Sequence, residues 1–341
     1  MTVTTVLITG ASGEIGHGLI DHLAEQSDIR IVALDLHPMD EAMAAKCHRV
    51  VIGDILDTAV IQSLSAAHDF DVIHHLAALL STTSERQPTL AHKINVEGTM
   101  NLLEMAVGQA RLQGREITFL YPSSVAVYGL PTLEAKRTAG KVVETEWLTP
   151  RTMYGANKLY CELLGTYYSE HYRQLDAAAV RRGGRVDCRG LRFPGLISAA
   201  TVPTGGTSDY GPEMLHMAAQ AKPYACFVRE DARIPFMAMP DGVDALLKLA
   251  AAPAKLLTRR VYNIGAFAPS AGEILQFTKQ AFPKADVTFN PDAKRQGIVD
   301  GWPEDVNDDA ARKDWGWKPA FGMERAFSEY LIPAITKRYG K

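Results

Sequence analysis

The sequence predicts an α/β fold with a doubly wound parallel sheet and a smaller C-terminal substrate lobe. Three observations predict it: short β-branched runs alternate with longer helical patterns, a glycine-rich turn joins the first strand to the first helix, and the texture changes after Phe193. Strands separated by helix-length segments imply right-handed crossovers and a sheet covered on both faces. Such strands are apolar throughout, as Val6-Leu7-Ile8 and Ile31-Val32-Ala33-Leu34 are.

Residues 6–9 read as the first strand and 15–27 as an amphipathic helix. Strands follow at 31–34, 48–53 and 72–76, then a long helix at 90–109, a strand at 117–122, a second long helix at 153–173 and a sixth strand at 186–193. The segment 177–185, with Arg181, Arg182 and Arg185, reads as a solvated loop. Residues 194–240 are rich in Gly, Pro and Thr, with one helical stretch near 213–220. A helix at 242–252 and a short strand at 261–265 then rejoin the sheet. The expected division is a nucleotide lobe of residues 1–193 plus 241–265 and a substrate lobe of residues 194–240 plus 266–341.

The chain of 341 residues is 47% hydrophobic and 22% charged, ordinary values for a globular protein. A formal charge of −3 and the lack of any basic run interleaved with aromatics argue against a nucleic-acid partner. No stretch approaches the roughly 18 uncharged apolar residues of a membrane span, and the N-terminus lacks the basic start of a secretory leader. A cytoplasmic location is expected. Cys47, Cys161, Cys188 and Cys226 are scattered without metal-ligand spacing, so reduced thiols and no metal site are expected.

Gly10-Ala11-Ser12-Gly13-Glu14-Ile15-Gly16 follows the first strand and opens the first helix. Gly10 permits the tight turn, Gly13 lets the backbone approach a pyrophosphate, and Gly16 lets helix and strand pack closely. The free amides of the helix start, around Glu14 and Ile15, then bind phosphate. The spacing is G-x-x-G-x-x-G, and its strand-before, helix-after context is the one a Rossmann-type dinucleotide site requires. Asp35 closes the second strand 19 residues beyond Gly16. A carboxylate there bonds the ribose hydroxyls and repels a 2′-phosphate, which favours NAD over NADP. Asp54, beside Ile55, is placed to reach the adenine.

Tyr154 and Lys158 lie four residues apart on one helical face. A free tyrosine titrates at about 10, too high for a base at neutral pH. A neighbouring ammonium and a bound nicotinamide both favour the phenolate. Tyr154 so tuned takes the proton of an alcohol as hydride leaves its carbon. Ser123 and Ser124 end the preceding strand, at the edge where open α/β sheets bind ligands. Ser124 is read as the hydroxyl that bonds the substrate oxygen, and Ser123 as a cap or loop residue.

In this order and spacing the residues resemble the extended short-chain dehydrogenase/reductase family of NAD-dependent epimerases and dehydratases, over essentially the whole chain. The resemblance implies Ser124, Tyr154 and Lys158 as catalytic residues, and Gly10, Gly13, Gly16 and Asp35 as cofactor contacts, joined by Tyr154 and Lys158. It also implies that Leu76-Ala77-Ala78 runs beneath the cofactor, that Asn95 is the asparagine of the next helix supporting this site, and that Phe193 passes the nicotinamide. A homodimer through the two long helices is implied as well.

The second half resembles one branch, the short-chain-type L-threonine 3-dehydrogenases, at 190–198, 205–210, 233–241, 301–303 and 308–317. This implies oxidation of L-threonine at its β-hydroxyl to 2-amino-3-ketobutyrate, with reduction of NAD. A small zwitterion needs hydroxyls or amides for its carboxylate. Ser81 and Thr82 offer hydroxyls near the nicotinamide end, and the Gly206 amide, Thr207 and Ser208 are assigned to the carboxylate, with Tyr210 closing over it. Ser208 stands where the branch carries threonine. Two other readings stay open: a nucleotide-sugar 4-epimerase or dehydratase, with Lys222, Arg229 and Arg233 near the phosphates, and an NAD-binding sensor without catalysis.

Overall fold

Seven short β-branched segments build the main sheet of the computed structural model, which describes residues 3–175, 184–203 and 205–340. They are β1 (Thr4–Thr9), β2 (Ile29–Asp35), β3 (Arg49–Ile52), β4 (Val72–His75), β5 (Ile117–Ser124), β6 (Val186–Phe193) and β7 (Val261–Asn263). All pair in parallel, in the order β7-β6-β5-β4-β1-β2-β3. The chain winds outward from β1 to β3, then returns to β4 on the other side of β1. The switch point between β1 and β4 opens the crevice in which such sheets bind ligands.

Successive side chains of a strand point to opposite faces, so β1 feeds two cores. Val6 and Ile8 pack with Leu19 and Leu23 of α1 (Glu14–Leu23) and with Leu246 and Leu249. Leu7 packs on the other face with Leu64 of α2 (Thr58–Ala67) and with Leu102, Leu103 and Ala106 of α3 (Gly98–Gln113). Each such buried side chain contributes about 1.5–3 kcal/mol. The long helix expected at 90–109 runs from Pro88 to Gln113 and stops at Gly114, which turns left-handed at φ 66°. The second comprises α4 (Met153–Thr166) and its continuation Tyr167–His171. The loop expected at 177–185 lies mostly outside the described residues.

A separate apolar core gathers Ile197, Phe236, Ile274, Phe327 and the buried Trp302 around α5 (Tyr210–Ala219). Around it run two-stranded parallel pairings that the sequence did not suggest: Gly195–Ile197 with Phe236–Ala238, and Tyr224–Cys226 with Val287–Phe289. These segments are three residues each, too short to carry a period. Met239–Ala251 (α6) returns the chain to the main sheet. Among the described residues no helix is long and apolar enough to cross a membrane.

Candidate functional site

Gly10 adopts φ 68°, and a Cβ there would lie 2.7 Å from the Ala77 amide nitrogen. The turn after β1 and the segment after β4 therefore meet at the switch point with no room for a side chain. Gly16 is equally confined, since its Cβ would lie 2.4 Å from the Ala11 carbonyl. No side chain caps the start of α1, which leaves the amides near Glu14 and Ile15 open to an anion. The carboxylate of Asp35 accepts from the Ser12 amide at 2.9 Å and the His37 amide at 3.0 Å. Each oxygen keeps a lone pair for a ribose hydroxyl. Asp54 is half-buried and accepts from the Leu56 amide, while Ile55 packs on Gly98. These features fit a dinucleotide.

At two of the expected cofactor residues the side chain is engaged within the protein. The Glu14 side chain accepts from the Thr201 hydroxyl at 2.8 Å, and burial raises its carboxyl despite that bond and the nearby His17. Asn95 is buried, and its amide accepts from the Leu79 nitrogen at 2.8 Å and donates to the Leu79 carbonyl at 3.1 Å. Asn95 thus holds the segment after Leu76, Ala77 and Ala78 in place, and its side chain is engaged by backbone.

Ser124 ends β5 directly opposite Phe193, the last residue of β6. Its Oγ accepts from the Ala126 amide at 3.2 Å and lies beside Tyr154 near the start of α4. Burial pushes the Tyr154 phenol up to about 12, against a hydrogen bond with Ser124 that draws it down. Lys158 is 4% exposed, and burial lowers its ammonium to about 8, opposed by Cys161 and Glu162. The ammonium donates to the Pro122 carbonyl at 2.7 Å and lies 4.5 Å and 5.5 Å from the ring centres of Tyr121 and Tyr154. The sequence reading had Lys158 lowering the tyrosine pKa. In this arrangement burial sets the shift, with Ser124 opposing it, and Tyr154 rests protonated.

The 205–208 loop comes to the same crevice. Thr82 Oγ1 donates to the Gly205 carbonyl at 3.0 Å, and Thr207 Oγ1 to Ser81 Oγ at 3.4 Å. Ser208 is half-buried against Gly195. Hydroxyls from opposite halves of the chain are thereby brought together. Two assignments need correction. The Gly206 amide donates to Asp209 at 2.7 Å, so this carboxylate already occupies it. Tyr210 is fully buried between Phe227 and Phe236, placing it in the core where it cannot close over a ligand.

Sequence reading missed Glu162 and Arg192, which are buried as an ion pair behind the site. The Tyr-x-x-x-Lys-x-x-x-Glu spacing carried a signal for Glu162, one turn beyond Lys158. Arg192 lies in a strand buried along its whole length, where a charge demands a partner. Ser123, read as a cap or loop residue, is buried and donates to Glu162. No cluster of metal-ligating side chains occurs among the described residues.

The model of the NAD dependent epimerase/dehydratase family matches residues 6–265. A mitochondrial L-threonine 3-dehydrogenase of Bos taurus is 33% identical over 96% of this chain and 81% of its own length. Among solved structures, an L-threonine dehydrogenase from Clostridium difficile superposes with a TM-score of 0.84 at 30% identity, covering 99% of both chains. A monomeric L-threonine 3-dehydrogenase from a metagenome superposes with a TM-score of 0.83 at 33% identity, covering 98% of this chain and 99% of its own.

Proposed function

Because the chain belongs to the NAD dependent epimerase/dehydratase family, we propose that it oxidises L-threonine at the β-hydroxyl to 2-amino-3-ketobutyrate while reducing NAD. The family and the threonine dehydrogenase relatives support an NAD-dependent oxidoreductase. The observation that carries the substrate reading is the meeting of Ser81 and Thr82 with the 205–207 loop, which joins hydroxyls from both halves of the chain. Hydroxyls of this kind are the donors an amino-acid carboxylate needs.

Ser124 and Tyr154 bind the β-hydroxyl, and Tyr154 takes its proton. NAD, when bound, accepts the hydride and brings the nicotinamide charge that pulls the buried phenol down from about 12. Gly10, Gly13 and Gly16 would hold the pyrophosphate against the start of α1, Asp35 the adenosine ribose, and Asp54 and Ile55 the adenine. Lys158 supplies a fixed positive charge and would bond the nicotinamide ribose, with Phe193 near the strand end that would receive the nicotinamide. Residues 1–193 and 241–265 form the cofactor lobe, and residues 194–240 and 266–341 bring Thr207 and Ser208 over the substrate. Closure excludes water.

The sugar-nucleotide reading is weakened at two of its three cations, while Lys222 stays exposed beside Gln220. Arg229 forms a forked pair with Asp300, and Arg233 is held by Glu273 and the Ala268 carbonyl. Intact Ser124, Tyr154 and Lys158 speak against a sensor, which needs none of them.

We place the protein in the cytoplasm, although the bovine relative is named as mitochondrial. We further propose a homodimer through α3 and α4, where Tyr160, Leu163 and Tyr167 are exposed; sedimentation at micromolar concentration tests it. The substrate is tested by NADH formation with L-threonine, L-allo-threonine, D-threonine and L-serine side by side. Absence of a threonine signal defeats the assignment.

A further inference from the structure

One carboxylate behind the catalytic group joins three elements that are far apart in sequence. Glu162 lies one turn beyond Lys158 and two beyond Tyr154 on α4, so the three share a helix face. It accepts from the Ser123 hydroxyl, from Arg192 Nε at 2.9 Å and from Arg192 Nη2 at 2.6 Å. Ser123 and Arg192 stand opposite each other in β5 and β6, one residue before the facing pair Ser124 and Phe193. The far side of the guanidinium is anchored too, with Arg192 Nη1 donating to Tyr128 Oη at 2.9 Å and to the Glu144 carbonyl at 2.7 Å. Glu162 and Arg192 are 6% and 3% exposed. Desolvation offsets most of the attraction in a pair buried this deeply, so its chief effect is on geometry.

We propose that Glu162 is a positioning residue, locking the helix that carries Tyr154 and Lys158 to the strand ends that carry Ser124 and Phe193, and serving as counter-charge to Lys158. The inference rests on the assignment of Ser124, Tyr154 and Lys158 to the reaction. Lys158 faces Cys161 and Glu162 from its own helix, the Tyr121 ring and Pro122 carbonyl from β5, neutral His75 from β4, and Tyr154. Glu162 is the carboxylate in this set. Without it, burial acts on the ammonium with less opposition, and Lys158 loses its proton at lower pH.

Glu162→Gln keeps the shape and removes the charge, whereas Glu162→Asp keeps the charge. In Glu162→Gln, kcat for L-threonine falls at least ~10-fold with KM for NAD within ~2-fold, and the alkaline limb of the pH profile moves down by about one unit. In Glu162→Asp the alkaline limb stays at the wild-type position. Should Glu162→Gln fail to fold, Ser123→Ala removes one arm of the lock and lowers kcat several-fold at unchanged KM for NAD; wild-type kcat there overturns the proposal. A folded Glu162→Gln with the wild-type profile also overturns it, as does a loss that only tracks the folded fraction. NMR titration of 15N-labelled lysines follows Lys158 without any substrate. If the wild type makes no NADH from L-threonine, the substrate reading falls, and the lysine midpoint in Glu162→Gln still decides this inference: lowered supports it, unmoved overturns it.

Discussion

Lys158 lies 5.5 Å from the centre of the Tyr154 ring and gives its hydrogen bond to the Pro122 carbonyl. The lysine therefore stands under the tyrosine as a fixed charge. With the phenol raised to about 12 by burial, that charge alone does not yield a phenolate at neutral pH. On the proposed mechanism the nicotinamide charge completes the tuning.

The phenol is consequently expected to stay protonated at pH 10 in the free protein and to titrate lower once NAD is added. Difference absorbance of the tyrosinate band, wild type against Tyr154→Phe, reads this directly. On the acid side, kcat/KM rises with pH as the tyrosine loses its proton. Tyr154→Phe lowers threonine turnover at least ~100-fold, and wild-type-like turnover would remove Tyr154 from the mechanism.

Gly10→Ala is expected to abolish tight NAD binding. A left-handed alanine costs about 1–2 kcal/mol, and its Cβ would press on the Ala77 nitrogen, 2.7 Å away. The segment at 76–78 has to move to relieve the clash. Isothermal titration with NAD, alongside a thermal melt, separates lost binding from lost fold; wild-type affinity in a folded variant contradicts the proposed cradle.

Asp35→Ala removes the acceptor proposed for the ribose hydroxyls. A hydrogen bond to a charged group contributes about 1.5–3 kcal/mol, so KM for NAD rises ~10-fold or more and the preference over NADP shrinks. Equal discrimination between the two cofactors in the variant would show that selectivity lies elsewhere.

Thr82→Val deletes the hydroxyl that reaches the Gly205 carbonyl at 3.0 Å. The loss of about 0.5–1.5 kcal/mol raises KM for L-threonine roughly 2- to 10-fold while KM for NAD holds. An unchanged threonine KM would detach this contact from substrate binding.

His74 and His75 are buried at the end of β4, and burial lowers them to about 4 and about 3. Both are neutral in the folded chain and take up protons on unfolding in acid. Their contribution to stability is present above about pH 6.5 and is lost as pH falls toward the folded values. Each accounts for up to about 1.4 kcal/mol per pH unit in that window. Urea unfolding at pH 7, 6 and 5 is expected to show a shallower decline for His74→Asn than for the wild type; identical slopes would contradict the assignment.

The fold and half of the site were legible because their signals are local. A continuous apolar run in β1, glycines at a strand-to-helix turn, and Tyr154 with Lys158 on one helix face are each readable within about ten residues. Glu162 was equally local, four residues beyond Lys158, yet its meaning depends on Arg192 and Ser123. Tyr210 and the Gly206 amide misled for the opposite reason: a loop sequence does not say which of its polar groups another residue has already taken.

The sequence by itself determined the doubly wound sheet, the open helix start for a pyrophosphate, and the pairing of phenol and ammonium on α4, since backbone sterics and periodicity act along the chain. Only the tertiary structure decided that burial holds Tyr154 protonated, that Asp209 occupies the Gly206 amide, and that Glu162 of α4 accepts from Ser123 of β5 and Arg192 of β6. Desolvation and hydrogen-bond satisfaction depend on which groups become neighbours, and neighbours more than a hundred residues apart, such as Thr82 and Gly205, exist only once the chain has folded.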